Sequence, residues 1–467
     1  MTSAGPVSTD TVKVRTAGWA VFVAYLAAGI SMGTFYGRVP AVREDLGLSA
    51  AALGAFLLMW ALGSVCALPL SGAITTRLGA DRTVGLFATI VAIGYMTVAF
   101  ASSTGLAPIA FVGLWLAGAG TGAWDAAATV EGAVVEHKLG RAVMSRFRSG
   151  ESAGQVIGAA LGALAAGLHL PLEQHFGIAS IVFVAMAVIA ARRFIPVIGP
   201  RDFPDDLAEA GRRAAEPPPL QVGEGSDHVY GLPGADMMDI PDQVSAVSVA
   251  RRNSILDAWK EPRILLLGVI IFSAAMADGS ASDWTSTALV HGLDAPEFVG
   301  SLGVSVFFMA AFIMRLLGTV LVERVGRVTA LRICSGLTFV GVALFAFAPW
   351  LGAALAGSLI WGAASALGFP LALSAAADDP AKAPQRVAVV STIGYFAFLV
   401  APFIIGQLAA HLNGVGGYGT GYRPALAIVM IPAVFALFAA RAASPQEGKT
   451  TASAQARTTN RLGWRSA

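Results

Sequence analysis

A chain of 467 residues that is 56% hydrophobic and only 13% charged cannot be an ordinary soluble domain, which needs about 25% charged residues to keep its surface wet. The formal net charge of +2 offers no bulk electrostatic case for nucleic-acid binding. The two cysteines, Cys66 and Cys334, both lie inside apolar segments, so neither a disulfide framework nor a thiolate metal site can be built from them.

Apolar runs of about 20 residues, the length that spans a hydrocarbon core, recur along the chain. Lys13 and Arg15 precede the first run, 17–38, which is longer than the core of a cleaved signal and is expected to stay as a first helix. Further spans are predicted at 51–74, 83–103, 107–133, 146–168 and 176–195. A second set follows at 263–289, 298–322, 330–348, 351–376, 386–412 and 423–441. The expected units are an N-terminal tail (1–16), a first six-helix half (17–195), a linker (196–262), a second half (263–441) and a C-terminal tail (442–467). The linker is charged and holds Pro217, Pro218 and Pro219, a composition that predicts disorder. Its end, Val249 to Trp259, can form a short amphipathic surface helix stopped by Pro262.

Basic residues set the orientation. Twenty-seven of the 31 Lys and Arg fall in segments on one side if both termini are cytoplasmic, against Arg38, Arg43 and Arg423 on the other. The expectation is a multi-pass protein of the cytoplasmic (inner) membrane with both termini inside.

The halves carry an internal repeat. GLSAAALG at 47–54 is answered by GLDAPEFVG at 292–300, and Arg77-Leu78-Gly79 by Arg324-Val325-Gly326, at offsets of 245 (292 − 47) and 247 (324 − 77). Ser49 and Asp294 are placed to cap the following helices, Asp294 in a box-like pair with Glu297. At the first offset Arg38 corresponds to Asp283, and the two are expected to meet where the outer mouth closes.

Two six-helix halves, a long linker and paired Arg-x-Gly loops resemble the major facilitator superfamily over about 17–441. The loop from Gly72 to Arg82 carries the family's Gly72, Arg77 and Gly79, but Thr76 stands where the family has Asp; Asp81 is the only local substitute. The stretches 37–49, 125–136, 282–289, 315–327 and 394–409 are similar to a bacterial branch that includes sugar-permease-like and unassigned members. The marks of drug/proton antiporters are missing. The resemblance implies an all-α membrane fold in which a solute binds at mid-membrane between halves that rock against each other. It also implies a transporter, coupled to protons, that works as a monomer without a cofactor. The alternatives are a polytopic membrane enzyme such as a lipid-linked sugar transferase, and drug or metabolite efflux.

Ionisable groups inside membrane spans are expensive and so mark function. Candidates for coupling or gating are Asp125, Glu151, Arg315, Arg38, Asp283 and Asp278, with Asp125 the expected proton carrier and Glu151 and Arg315 expected to pair across the halves. Asp278 adjoins a Gly-Ser-rich stretch, 279–282, where a helix break would line the solute path. Candidates for the cavity wall, able to stack on or hydrogen-bond a sugar-like ligand, are Tyr36, Trp124, Gln155, Trp284, Trp361, Tyr395 and Gln407. The glycines at 150, 154, 158 and 162 form one stripe for close helix packing. Gly118–Ala123 fits a dinucleotide pattern but lies in an apolar helix with no preceding strand, which favours packing again.

Overall fold

The computed structural model describes residues 9–140, 143–195, 257–379 and 382–444. The linker expected at 196–262 falls almost wholly outside these residues, as do most of the surface helix expected from Val249 and the C-terminal tail from 445.

The first six long helices are α1 (Thr9–Gly37), α2 (Ala50–Leu78), α3 (Ala80–Thr104), α4 (Ala107–Leu139), α5 (Met144–Gly167) and α6 (Leu172–Ala191). The second six are α7 (Pro262–Gly292), α8 (Glu297–Val325), α9 (Arg327–Phe347), α10 (Leu351–Ala376), α11 (Ala383–Gly416) and α12 (Tyr422–Ala443). Eleven of them are long and apolar enough to cross a bilayer. The exception is α5, which carries Arg146, Arg148, Glu151 and Gln155 and lies packed between α1 and α8.

The halves match in their scaffold. Helices α2 and α8 have 29 residues each and end on Gly79 and Gly326, at φ 86°, ψ 155° and φ 80°, ψ 158°. Only glycine adopts this conformation readily, so the repeat is fixed by backbone need. This places the register at 247 (326 − 79) throughout, and Ser49 and Pro296 are the matching N-caps. Ser49 accepts from the Ala52 N–H as expected (3.2 Å), but Asp294 caps nothing. It occupies the left-handed turn that Gly47 fills in the first half (φ 51° against 60°). At this register Tyr36, not Arg38, is the counterpart of Asp283.

One element differs. Helix α7 runs unbroken through 279–282, contrary to the expected break. Its counterpart breaks instead at Arg38, after which a short helix, Val39–Asp45, starts with Pro40 in its first turn. Proline supplies no N–H to the preceding helix and suits a helix start, which accounts for the break's position. A second interruption divides α10 into Leu351–Ser365 and Gly368–Ala376.

The halves meet along two seams, α5 against α8 and α2 against α11. Within the first half α1 and α5 approach very closely. A Cβ on Gly154 would fall 2.1 Å from the Leu26 carbonyl oxygen, and one on Gly29 would fall 2.0 Å from that of Glu151. The glycine stripe of α5 is thus a packing surface. Gly118 likewise lets α4 touch α2 at Trp60, as the packing reading of that stretch requires.

Candidate functional site

With twelve spans, α1 begins and α12 ends on one face, here the terminal face. At the other, the opposite face, the hydrogen bonds and ion pairs that join the halves gather. Arg43, on the short helix, is buried; its Nη1 lies 2.9 Å from His291 Nε2 and donates to Tyr418 Oη (2.8 Å). The guanidinium also lies over the Tyr418 and Tyr422 rings, 5.4 and 5.2 Å from their centroids, a cation–π contact worth about 0.5–2 kcal/mol. Arg38 pairs with Glu297 of α8 (2.8 Å) and donates to the Leu170 carbonyl (3.0 Å). Its expected partner, Asp283, is not the one it meets, because the repeat register places Asp283 level with Tyr36. Ser286 Oγ donates to the Tyr36 carbonyl (2.9 Å) and Ser301 Oγ to that of Gly37. The opposite face is therefore sealed. Even its three arginines are withdrawn from the surface, Arg423 by donating to the Phe345 and Ala348 carbonyls.

Behind the seal, toward the terminal face, lies a band of charge. Arg148 of α5 pairs with Asp125 of α4 (3.2 Å), stands 3.9 Å from Glu151, and donates to Thr129 Oγ1 (3.3 Å). The Thr129 hydroxyl is shared with Tyr25 of α1 (2.9 Å), whose ring lies under the Arg148 guanidinium. From the second half, Arg315 of α8 donates to Ser152 of α5 (2.5 Å) and faces Asp278 of α7 (3.6 Å). Tyr395 of α11 is within electrostatic reach of Asp125, Arg148 and Glu151. Asp125, Arg148 and Tyr395 are exposed, although they look toward one another across the halves. The space between the halves is thus a cleft open toward the terminal face.

Arg315 does meet α5 at the depth of Glu151, but here it bonds to the neighbouring Ser152. Glu151 has Arg148 as its nearest cation, and Asp125 is not the spare carboxylate, since Arg148 holds it. Arg148 escapes sequence reading because, two residues into the predicted span 146–168, it is counted with the basic residues of the preceding segment. The signal that finds it is its i,i+3 spacing to Glu151 on a helix.

The aromatic candidates separate sharply. Trp124, Trp284 and Trp361 are fully buried in helix packing, against Phe183, Tyr422, and Phe307 with Phe345 respectively, so they do not face the cleft. Gln155 is buried in the α1–α5 seam beside Met32. Gln407 shares an exposed stripe of α11 with Phe396 and Phe403, turned away from Gly406, which touches α2. Tyr36 is buried at the apex of the cleft, against Trp60 of α2 and Phe308 of α8. Tyr395 is the candidate that stands open in the cleft.

At the terminal face, Arg77, Arg324 and Gly72 are exposed, and Gly72 has open space around it. Thr76 satisfies its hydroxyl on the Ala73 carbonyl (2.9 Å). The strong charge cluster of this face is elsewhere and was not foreseen: Asp378, at the end of α10, accepts from Arg263 (2.8 Å) and Arg327 (2.9 Å). Its counterpart in the repeat is Glu131, buried and accepting the Ile195 N–H (2.7 Å).

Two six-helix halves around a cleft sealed at one end define an alternating-access membrane carrier. Sequence comparison bears this out: the model of the Major Facilitator Superfamily matches residues 21–402 and 297–467, and the chain belongs to that family. An uncharacterized transporter, y4wD, of Sinorhizobium fredii is 28% identical over 393 residues, covering 83% of this chain and 90% of that protein. An uncharacterized MFS-type transporter of Yersinia pestis is 25% identical over 389 residues, covering 83% and 87%. Among solved structures, the nucleoside transporter NupG superposes with a TM-score of 0.66 at 14% identity, over 92% of this chain and all of that one. The xylose transporter XylE from E. coli, in a partially occluded inward-open conformation, gives 0.60 at 14% identity, over 92% and 98%. The protein is a multi-pass membrane transporter of a small solute.

Proposed function

We propose that the chain is a proton-coupled secondary carrier of a small polar solute, with its cleft open to the cytoplasm in this conformation. The observation that carries the reading is the band Asp125–Arg148–Glu151 and Ser152–Arg315–Asp278, which crosses the boundary between the halves at mid-depth beneath a sealed opposite face. Its three carboxylates and two guanidinium groups share partners and are still wet, so a solute or proton arriving in the cleft can exchange partners within it. Glu151, adjacent to Ser152, is the partner that Arg315 takes when the terminal face closes.

The basic segments on the terminal face support placing both termini in the cytoplasm of an inner-membrane protein. The halves 17–195 and 263–441 are the two bodies that rock, joined by the linker 196–262, and one chain is the working unit. Transporters among both the relatives and the structural neighbours favour carriage over the membrane-enzyme alternative.

Purified protein in liposomes with an imposed proton gradient tests this. Accumulation of at least one solute from a panel of sugars, nucleosides, organic acids and amines is expected, abolished by a protonophore. Uptake that ignores the protonophore would remove the proton coupling, and a solute turned over chemically would remove the carrier reading. Deletion of about 205–245 is expected to leave that activity intact.

A further inference from the structure

The cleft's charged band accounts for Asp125, Glu151 and Asp278, each with a guanidinium beside it. Asp283 of α7 has none. It is only partly buried, and it forms no hydrogen bond or ion pair with any described residue. Among the described residues, the arginines of the opposite face and the one that α8 brings to the band are committed elsewhere. Arg38 holds Glu297 and the Leu170 carbonyl. Arg43 holds His291 and Tyr418. Arg315 holds Ser152 and Asp278, and Arg423 holds two backbone carbonyls of the second half.

The position of Asp283 is what gives this meaning. One turn further along α7, Ser286 donates to the Tyr36 carbonyl, one of the bonds that seal the opposite face. Tyr36 of α1 is electrostatically coupled to Asp283, and Tyr95 of α3, Glu151 of α5 and Asp278 of α7 are the other groups that act on Tyr36. None of these groups is a cation. Tyr36 in turn is walled by Trp60 and Phe308. An unpaired carboxylate is thus held against an aromatic wall at the apex of the cleft, within a turn of the seal. A charged carboxylate there loses part of its hydration and gains no counter-ion.

Resting on the carrier reading above, we infer that Asp283 is the proton-loading site of the cycle, and that its protonation favours closure of the opposite-face seal. The sign follows from hydration. With the opposite face open, Asp283 is wetted and its charged form is tolerated. With the face shut, the neutral form is favoured. The sealed state is therefore populated at low pH and lost as pH rises. A proton taken up from the opposite face closes that face and is delivered toward the terminal face.

No solute is needed to test this. Spin labels at Leu168→Cys and Val415→Cys, exposed positions of the two halves at the opposite face, are read by pulsed electron spin resonance between about pH 5 and about pH 9, with Cys66 and Cys334 replaced by Ser. In the parent background a short distance at low pH is expected to give way to a longer one as pH rises. In Asp283→Asn the short distance persists at every pH. Asp283→Glu keeps the transition with a moved midpoint, which separates loss of the proton site from damage to the fold. A transition that survives unchanged in Asp283→Asn overturns the assignment of Asp283 alone. A parent protein that holds one distance at all pH overturns the assignment together with proton-driven alternation, whereas the carrier reading itself stands or falls on the liposome assay.

Discussion

The two halves share a scaffold and differ in where they place charge. Helices α2 and α8 agree in length, capping position and terminal glycine geometry. At the same register of 247, Arg148 stands opposite Tyr395, Tyr36 opposite Asp283, and Glu131 opposite Asp378. Asp378 binds two arginines, Arg263 and Arg327; the positions matching them in the first half hold Thr16 and Ala80, and Glu131 settles for a backbone N–H. The difference has a physical logic. Positions 148 and 395, related by the two-fold axis, face each other across the cleft, so a cation repeated at both would meet its own kind. Placing the cation in one half and a phenol in the other removes that repulsion and leaves each charge free to find a partner across the boundary.

The sharpest way to break this comparison is to remove the cation of each half. Arg148→Ala strands both Asp125 and Glu151. With the site half exposed, the loss is about 1.5–3 kcal/mol, or ~10- to 100-fold in transport rate, with partial recovery in Arg148→Lys. Arg315→Ala gives up one hydroxyl bond and a longer ion pair, and about a 10-fold loss is expected. Equal effects, measured as initial rates in liposomes, would mean that the halves are not divided as described.

Next in size is the asymmetry of the buried acids. Asp378→Asn should lower thermal stability by about 2 kcal/mol, because two arginines at the terminal face lose their common anion. Glu131→Gln keeps an acceptor for the Ile195 N–H and should change the melting temperature little. A melt in which the two variants behave alike would contradict the pairing. The scaffold, by contrast, should respond symmetrically: Gly79→Ala and Gly326→Ala each place a Cβ in a positive-φ turn and should each cost about 1–2 kcal/mol. Smallest of all, Trp124→Phe should alter stability by about 1 kcal/mol and the transport rate hardly at all, since its ring packs against Phe183 and not in the cleft.

How much of this was legible in the sequence depends on the kind of signal. Hydropathy marks twelve spans because a bilayer demands about 20 apolar residues from each, and Gly79 and Gly326 betray the repeat because only glycine tolerates their φ. Partners were harder to read. Arg38 and Asp283 are linked by a repeat offset wrong by two residues, enough to turn a helical position to another face. The three tryptophans have the residue type of a cavity wall, yet residue type alone cannot separate an inward face from a packed one. Arg148 lies so near the start of its span that it reads as one more basic residue of the preceding segment. The break in the first half came from Pro40 rather than from the glycines and serines of 279–282, whose small side chains α7 uses for tight packing instead.

The most direct test of the alternating cleft lies at Gly37 and Ser301, where a Cβ on Gly37 would stand 3.4 Å from Ser301 Oγ across the sealed face. With Cys66 and Cys334 replaced by Ser, Gly37→Cys and Ser301→Cys should form a disulfide under mild oxidant. Initial rates in liposomes, for any solute that the parent accumulates, should fall to background when the bond forms and return on reduction. Cross-linked protein that carries solute at the reduced rate would contradict the account, because the opposite face would then not need to open.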